Sequence, residues 1–415
     1  MIRLVDTVAP PRLGVGFRWL LASSWISNLG DGISIAAGPL LVASQTRDAF
    51  LVALAALLQW LPHLLFGLFA GALSDRLDRR LMVVIVDVMR AIVLAAIAAT
   101  IVTGAVSIAV VLFALFLLGT AEAFADNSSQ TLLPMLVRRQ DLALANSRIN
   151  AGFITVNQLV GPPIGAGLFA IGMALPFVGQ AVMVAMGALL VSRIGLPVHR
   201  RDPERATAIR HEIAEGFRWT FHHPAVRTLV LTIFIFNITF GAAWSVLVLY
   251  ATERLGMGAV GFGLLTTVSA VGGLVGTLAY GRIVARVSLG NLMRIGLVVE
   301  TLTHLALALT TVPAVAMAIF FVFGAHAFIW GTTSITVRQR AVPQPLQGRV
   351  GSVNLVGVYG GLVIGSGIGG VLAQHWGVTA PFWFAFAGSA VFVVLIWSSL
   401  RHVAHADEEP APAPV

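Results

Sequence analysis

Asp31, Glu122 and His326 stand inside long apolar runs of this chain, where an ionisable side chain is costly and marks a functional position. Asn28 lies one helical turn before Asp31, and Trp330 one turn after His326. Asn237 and Trp244 share a further run. A carboxylic acid withdrawn from water holds its proton more tightly than one in solution. Asp31 and Glu122 are therefore candidates to bind and release a proton. The alternative for both is a polar cap or pair between helices, and His326 reads more readily as a hydrogen-bonded packing residue. Other polar groups in the runs read as structural. Asp87 and Arg90 are three apart, and Glu300 and His304 four apart, spacings at which side chains meet on one helix face. Gln59 and His63 also share a face, with no assignment to either role.

The elements that position these groups follow from composition. The chain is 58% hydrophobic and 11% charged, with a mean hydropathy of +0.90. A soluble domain carries roughly 25% charged residues, so a bilayer must solvate much of this protein. Twelve apolar runs, each near the ~20 residues that span a membrane, cover 18–43, 50–73, 81–102, 106–126, 149–170, 173–195, 226–251, 259–280, 291–311, 314–336, 351–373 and 378–399. Thr103–Ser107 and Ile171–Met173 leave room only for tight turns. Leu196–Pro224, rich in Arg and His, divides the runs six and six. The expected organisation is an N-terminal bundle over 1–196, a central connection at 197–224, a C-terminal bundle over 225–401 and a disordered tail at 402–415. Residues 1–16 are too polar and irregular for a signal-peptide core and read as a short arm.

All 26 basic residues are arginine. If the N-terminus is cytoplasmic, the outer loops hold only Arg47 and Arg254, Arg90 lies within a run, and every other arginine falls inside. That asymmetry places both termini in the cytoplasm, in the cytoplasmic (inner) membrane of a cell, as a multi-pass protein. The net charge of +8 is spread over these short loops and is not a nucleic-acid signal.

The halves repeat weakly. Arg18, Leu20 and Asn28 recur at equal spacing as Arg227, Leu229 and Asn237. Gly161, Ile164, Gly165 and Leu168 recur as Gly365, Ile368, Gly369 and Leu372. Two pseudo-symmetric six-helix bundles place a substrate path at their interface.

Between runs two and three the chain reads GALSDRLDRR. Gly71, Leu73, Asp75, Arg76, Arg79 and Arg80 fit the Gly-x-Leu-x-Asp-Arg-x-Gly-Arg-Arg loop of the major facilitator superfamily, with Asp78 where that family has glycine. Gly161-Pro162-Pro163-Ile164-Gly165, after Gly152, is similar to the Gly-Pro-x-x-Gly element of its proton-linked antiporters. SNLGDGISIAAGPLLV, DVMRA and LLPMLVRRQDLALANS resemble its drug- and siderophore-exporting branch. The resemblance implies an all-α membrane fold and alternating access. It implies that Asp75 sits against the N-terminus of span eleven, near Gly348–Gly351 with Arg349 available; Asp126, at the cytoplasmic end of span four, is placed to partner Arg76 or Arg79. The resemblance also implies that spans one, four, seven and ten line a cavity, bringing Asn28, Asp31, Glu122, Asn237, Trp244, His326 and Trp330 together. Pro162 and Pro163 lack backbone donors and predict a bend in span five. The function expected is proton-coupled efflux of small amphipathic molecules by a monomer in the lipid bilayer. The alternatives are an importer or lipid-related flippase of the same fold, or a membrane-embedded enzyme or sensor.

Chemistry of other kinds is poorly served. Without lysine there is no Walker A loop, and without cysteine no disulfide or thiolate site. No HExxH or GxSxG motif is present, so neither a metal nor a cofactor is expected. Gly365-x-Gly367-x-x-Gly370 lies inside an apolar run with no preceding strand and is not a dinucleotide fingerprint. Gly357, Gly361, Gly365 and Gly369 instead recur every four residues, a small-residue stripe expected to pack across the interface between the halves.

Overall fold

The computed structural model describes residues 10–74, 78–195 and 209–397, giving only the backbone of 68–74, 126–131 and 209–212. A single 3-10 turn, Pro11–Leu13, leads into α1 (Gly14–Gln45). There follow α2 (Ala49–Ser74), α3 (Arg79–Val102), α4 (Ile108–Leu136), α5 (Leu142–Gly152), a π-helical stretch Phe153–Val160, α6 (Gly161–Ile171) and α7 (Leu175–Ser192). The second half holds α8 (Ile209–His222), α9 (Pro224–Trp244), α10 (Ala259–Val284), α11 (Leu289–Leu309), α12 (Pro313–Ala341), α13 (Gln347–Trp376) and α14 (Ala380–Ile396). Eleven of the described helical segments are long and apolar enough to cross a bilayer, and α14 is a shorter apolar helix. These account for all twelve apolar runs. Helices overrun the apolar runs at several ends, α4 continuing to Leu136 and α12 to Ala341, because a helix need not stop where the hydrocarbon does.

Many large side chains are exposed, among them Ile92, Phe113, Leu278 and Val394, as expected of helices whose outer faces meet lipid. The helices gather into two compact units. One holds α1–α7 with residues 256–267; the other holds α8, α9, the rest of α10 and α11–α14. In the first, Leu13, Phe17, Leu20, Leu132 and Ile194 form a buried cluster that ties the start of α1 to the ends of α4 and α7. In the second, Leu229, Ile233, Leu289, Met293 and Val337 join α9, α11 and α12.

Close backbone approach repeats within each unit. A Cβ on Gly161 would lie 2.5 Å from Gly32 Cα, so α6 and α1 touch through their main chains. In the second unit a Cβ on Gly361 would lie 2.6 Å from Phe234 O, and Gly365 lies against Ile238 of α9 in the same way. The glycine stripe of α13 therefore packs on α9 inside its own unit, not across the halves as expected. Small residues are what allow two membrane helices to approach this closely. Gly241, which faces Leu362, stands where Gly32 does at the spacing that relates Asn28 to Asn237.

Three departures from the expected helices have local causes. Pro162 and Pro163 cannot donate to the carbonyls four residues back, and the wide-turn segment 153–160 ends just before them. Span seven was expected to run to 251 but breaks after Trp244. It resumes as a turn at Leu247–Leu249 and a π-helical turn at Tyr250–Arg254, held by the buried Tyr250 hydroxyl donating to Leu307 O at 2.6 Å. The third is α8, in a segment read from sequence as a plain connection. Ile213, Gly216, Phe217 and Thr220 fall on one face of it. Thr220 is fully buried, and a Cβ on Gly216 would lie 2.7 Å from Arg349 O.

Candidate functional site

Asp31 meets Arg90. The Nη2 of Arg90 donates to Asp31 Oδ1, and its Nη1 donates to Asp87 Oδ1 at 3.2 Å. Gln180 Nε2 adds a bond to Asp31 Oδ1 at 3.2 Å. The side chains of Arg90 and Asp87 are each 7% exposed and that of Asp31 24%. Asp87 and Arg90 do pair across one turn of α3, as their spacing predicts. The new element is that the same guanidinium reaches a second carboxylate on α1. The parts are positioned by close helix crossings. On α7, Gly187 accepts from the Ser23 hydroxyl of α1 at 2.9 Å, and Gly30 of α1 faces Gln180 and Met183. That contact aims Gln180 at Asp31. On the other side of α1, Gly32 meets the backbone of Asn157, whose side chain donates to Asn28 O at 3.1 Å. Asn28 itself donates to Ser24 O at 2.7 Å.

With both acids ionised the cluster carries one positive and two negative charges. Buried charge that is not balanced is strongly disfavoured. One further positive charge makes the cluster neutral, and a proton on either carboxylate supplies it.

Glu122 is exposed on α4. Asp87 is the buried acid of the cluster and Asp31 the half-buried one. In the second unit Asn237 Nδ2 donates to Ile233 O at 2.7 Å, the same four-residue back-bond that Asn28 makes. Trp244 stacks in an aromatic cluster with Phe240, Phe320 and Phe323, with ring centroids 4.4 to 5.5 Å from its own. His326 is buried and Trp330 half-buried beside it. The expected Glu300–His304 pair does not form. Glu300 turns to His326 on α12, with Oε2 and Nε2 3.6 Å apart, while neither ring nitrogen of His304 has a hydrogen-bond partner.

Asp75 and Arg76 of the charged loop lie outside the described residues, and only the backbone of Gly71 and of Asp126 on α4 is described. Arg80 Nη1 donates to Ile194 O at 2.9 Å, and Arg79 Nη1 points to Met135 Sδ at 3.5 Å. Arg349 is engaged by Glu215 of α8, Nη1 to Oε2 2.6 Å, a partner not foreseen. Asp78, the departure from the family loop, has an extended conformation (φ −64°, ψ 109°) and caps α3 by accepting from the backbone of Arg80 and Leu81. No positive φ is needed there, so glycine is not required. Asp78→Ala is expected to cost about 0.5–2 kcal/mol and Asp78→Gly only a few tenths. Thermal scanning of both purified variants checks this order.

The sequence missed the Asp31–Arg90 contact and the parts played by Gln180 and Glu215. One signal was present: Arg90 is the arginine that falls inside a span.

These features define a multi-pass integral membrane protein of the transporter class. The chain belongs to the major facilitator family described as transmembrane secretion effector, whose model matches residues 5–413. It is thus a transporter and not an enzyme. It is 30% identical over 392 residues to the multidrug efflux pump Tap of Mycolicibacterium fortuitum, covering 88% of this chain and 90% of that one. It is 26% identical over 401 residues to Multidrug resistance protein 1 of Bacillus subtilis (strain 168), covering 92% and 96%. Its fold matches the crystal structure of a mutant of the nucleoside transporter NupG with a TM-score of 0.75 at 12% identity, over 92% of this chain and 99% of that one.

Proposed function

We propose that this protein exports small amphipathic molecules across the cytoplasmic membrane in exchange for protons. The observation that carries this reading is the Asp31–Arg90–Asp87 cluster. One buried carboxylate, Asp87, and one half-buried carboxylate, Asp31, share one guanidinium, and a single proton would balance their charge. A proton-coupled transporter needs a group that binds the proton differently in its two conformations, because a ligand shifts an equilibrium only by its differential affinity for the two states. Protonation of the cluster removes the demand for a counter-ion and leaves Arg90 with a single ionised partner. Kinship with multidrug efflux pumps supports small-molecule cargo and the outward direction.

In this proposal both termini are cytoplasmic, the protein works as a monomer, and residues 1–196 and 225–401 are its two repeats. Asp75 has the gating role its loop signature implies, with Arg76, Arg79, Arg80, Asp126 and Arg349 as the charges around it. Asn28, Asn237, Trp244 and Trp330 supply polar and aromatic contacts to cargo.

The test is an accumulation screen in an efflux-deficient host, with and without an uncoupler. Expression is expected to lower accumulation of cationic dyes such as ethidium several-fold, and the uncoupler to abolish the difference. Lowered accumulation that survives the uncoupler would remove proton coupling.

A further inference from the structure

We propose that Glu300 and His326 form a second proton-exchanging pair, seated in the second unit and separate from the Asp31–Arg90–Asp87 cluster. Its role in transport rests on the proton-coupled reading above; its existence as a proton site does not.

The geometry is that of a buried pair. His326 Nε2 lies 3.6 Å from Glu300 Oε2, and the side chains are 8% and 13% exposed. Glu300 lies midway along α11 and His326 midway along α12, both inside membrane-length helices. The place of the imidazole is set by Gly296, one turn before Glu300. A Cβ there would lie 3.0 Å from His326 Cε1 and 2.5 Å from Trp330 Cδ1, so both rings rest on the bare backbone of α11. The ring of His326 also meets that of Phe323 edge-on, with centroids 6.1 Å apart.

What distinguishes this pair from the first is the absence of a fixed cation among the described residues. Asp31 and Asp87 have Arg90. Among the described residues the one ion-pair partner of Glu300 is His326, which is a cation only while it holds a proton. Every helix packed around the pair keeps its permanent charges at its ends. On α11, Arg294 sits over the Trp397 ring, 5.4 Å from its centroid. On α12, Arg338 and Arg340 lie in the last turn; on α10, Arg282 does. Arg227 lies in the first turn of α9, and α14 has no titratable residue. Tyr280 of α10 is occupied with Thr333, which donates to its hydroxyl at 3.4 Å. His304, one turn beyond Glu300 on α11, is fully buried with both nitrogens unpartnered and its ring edge-on to Trp244.

A buried carboxylate left without a counter-charge is strongly disfavoured. The pair therefore exchanges its proton as a unit. It passes from a proton-bearing state, with the proton on either member, to a carboxylate facing a neutral imidazole, and one proton leaves. The unpartnered nitrogens of His304 and Trp330 flank it as polar groups without a partner of their own.

The test is pH-difference infrared spectroscopy on the purified full-length protein in detergent, with no cargo and no gradient. Wild type is expected to show a protonated-carboxyl stretch that Glu300→Gln removes and whose pH midpoint His326→Gln moves by a unit or more. His304→Leu is expected to leave that midpoint in place. If Glu300→Gln does not fold, Glu300→Asp keeps the acid one methylene further from the ring, and the band is expected to persist with a moved midpoint. A spectrum unchanged by removal of Glu300, or a midpoint indifferent to His326, overturns the proposal. In proteoliposomes loaded with ethidium, Glu300→Gln is expected to lower the proton-to-ethidium exchange ratio while Asp31→Asn abolishes coupling. Loss of coupling in wild type with the infrared result intact would remove the export reading and leave the proton pair standing.

Discussion

Arg90→Met is expected to yield protein that inserts poorly and inactivates at much lower temperature than wild type. Arg90 bridges α3 to α1 and is the shared cation of the buried Asp87 and the half-buried Asp31. Methionine fills similar space but leaves Asp31 and Asp87 close together with no counter-charge. Removing one partner of a buried ion pair costs about 3–5 kcal/mol. Unfolding of a protein with this many spans is not reversible, so the measurement is a rate of thermal inactivation or the monodisperse fraction after heating. The cause is separable from lost packing. Asp31→Asn, Asp87→Asn and Arg90→Met combined carry no charge at the site and are expected to recover most of the lost stability while remaining inactive. Arg90→Met as stable as wild type would mean that the guanidinium does not balance the two acids.

Asp75→Asn is expected to abolish transport while expression and thermal stability stay near wild type. The change removes one charge and no volume. An acid at a helix N-terminus contributes about 0.3–2 kcal/mol, whereas moving a two-state equilibrium from 1:99 to 99:1 takes about 5.5 kcal/mol. In the proposed gating role the acid biases rather than fixes a conformation, and a transporter that must visit both states is sensitive to such a bias. Ethidium extrusion and fluorescence size exclusion measured on the same cells decide it. Wild-type extrusion in Asp75→Asn would sink the gating role.

The fold was legible because its cause is one-dimensional. Apolar runs of membrane length show directly in the residues. The helix α8 escaped notice because amphipathic spacing in a polar stretch looks like a connection until something buries its face, here α13 through Gly216 and Glu215. The polar interior was less legible for the same physical reason. Asp87 and Arg90 could be paired because helical spacing brings them together. Glu300 and His304 had equally good spacing, yet Glu300 turned to another helix. Spacing gives the chance of a contact, while the crossing of two helices decides which contact is made. Asp31 and Arg90 are 59 residues apart, and only the packing of both α1 and α3 on α7 sets where they meet. The glycine stripe shows the same limit. Its period was plain, but its partner, α9 of the same unit, was not.

The most direct test of proton-coupled export is ethidium movement in proteoliposomes under an imposed pH gradient, for wild type and Asp31→Asn. Wild type is expected to accumulate ethidium on the acidic side at the expense of the gradient and to stop when an ionophore collapses it. Asp31→Asn is expected to exchange ethidium for ethidium but to ignore the gradient. Ethidium movement in wild type that is the same with and without the gradient would contradict the account.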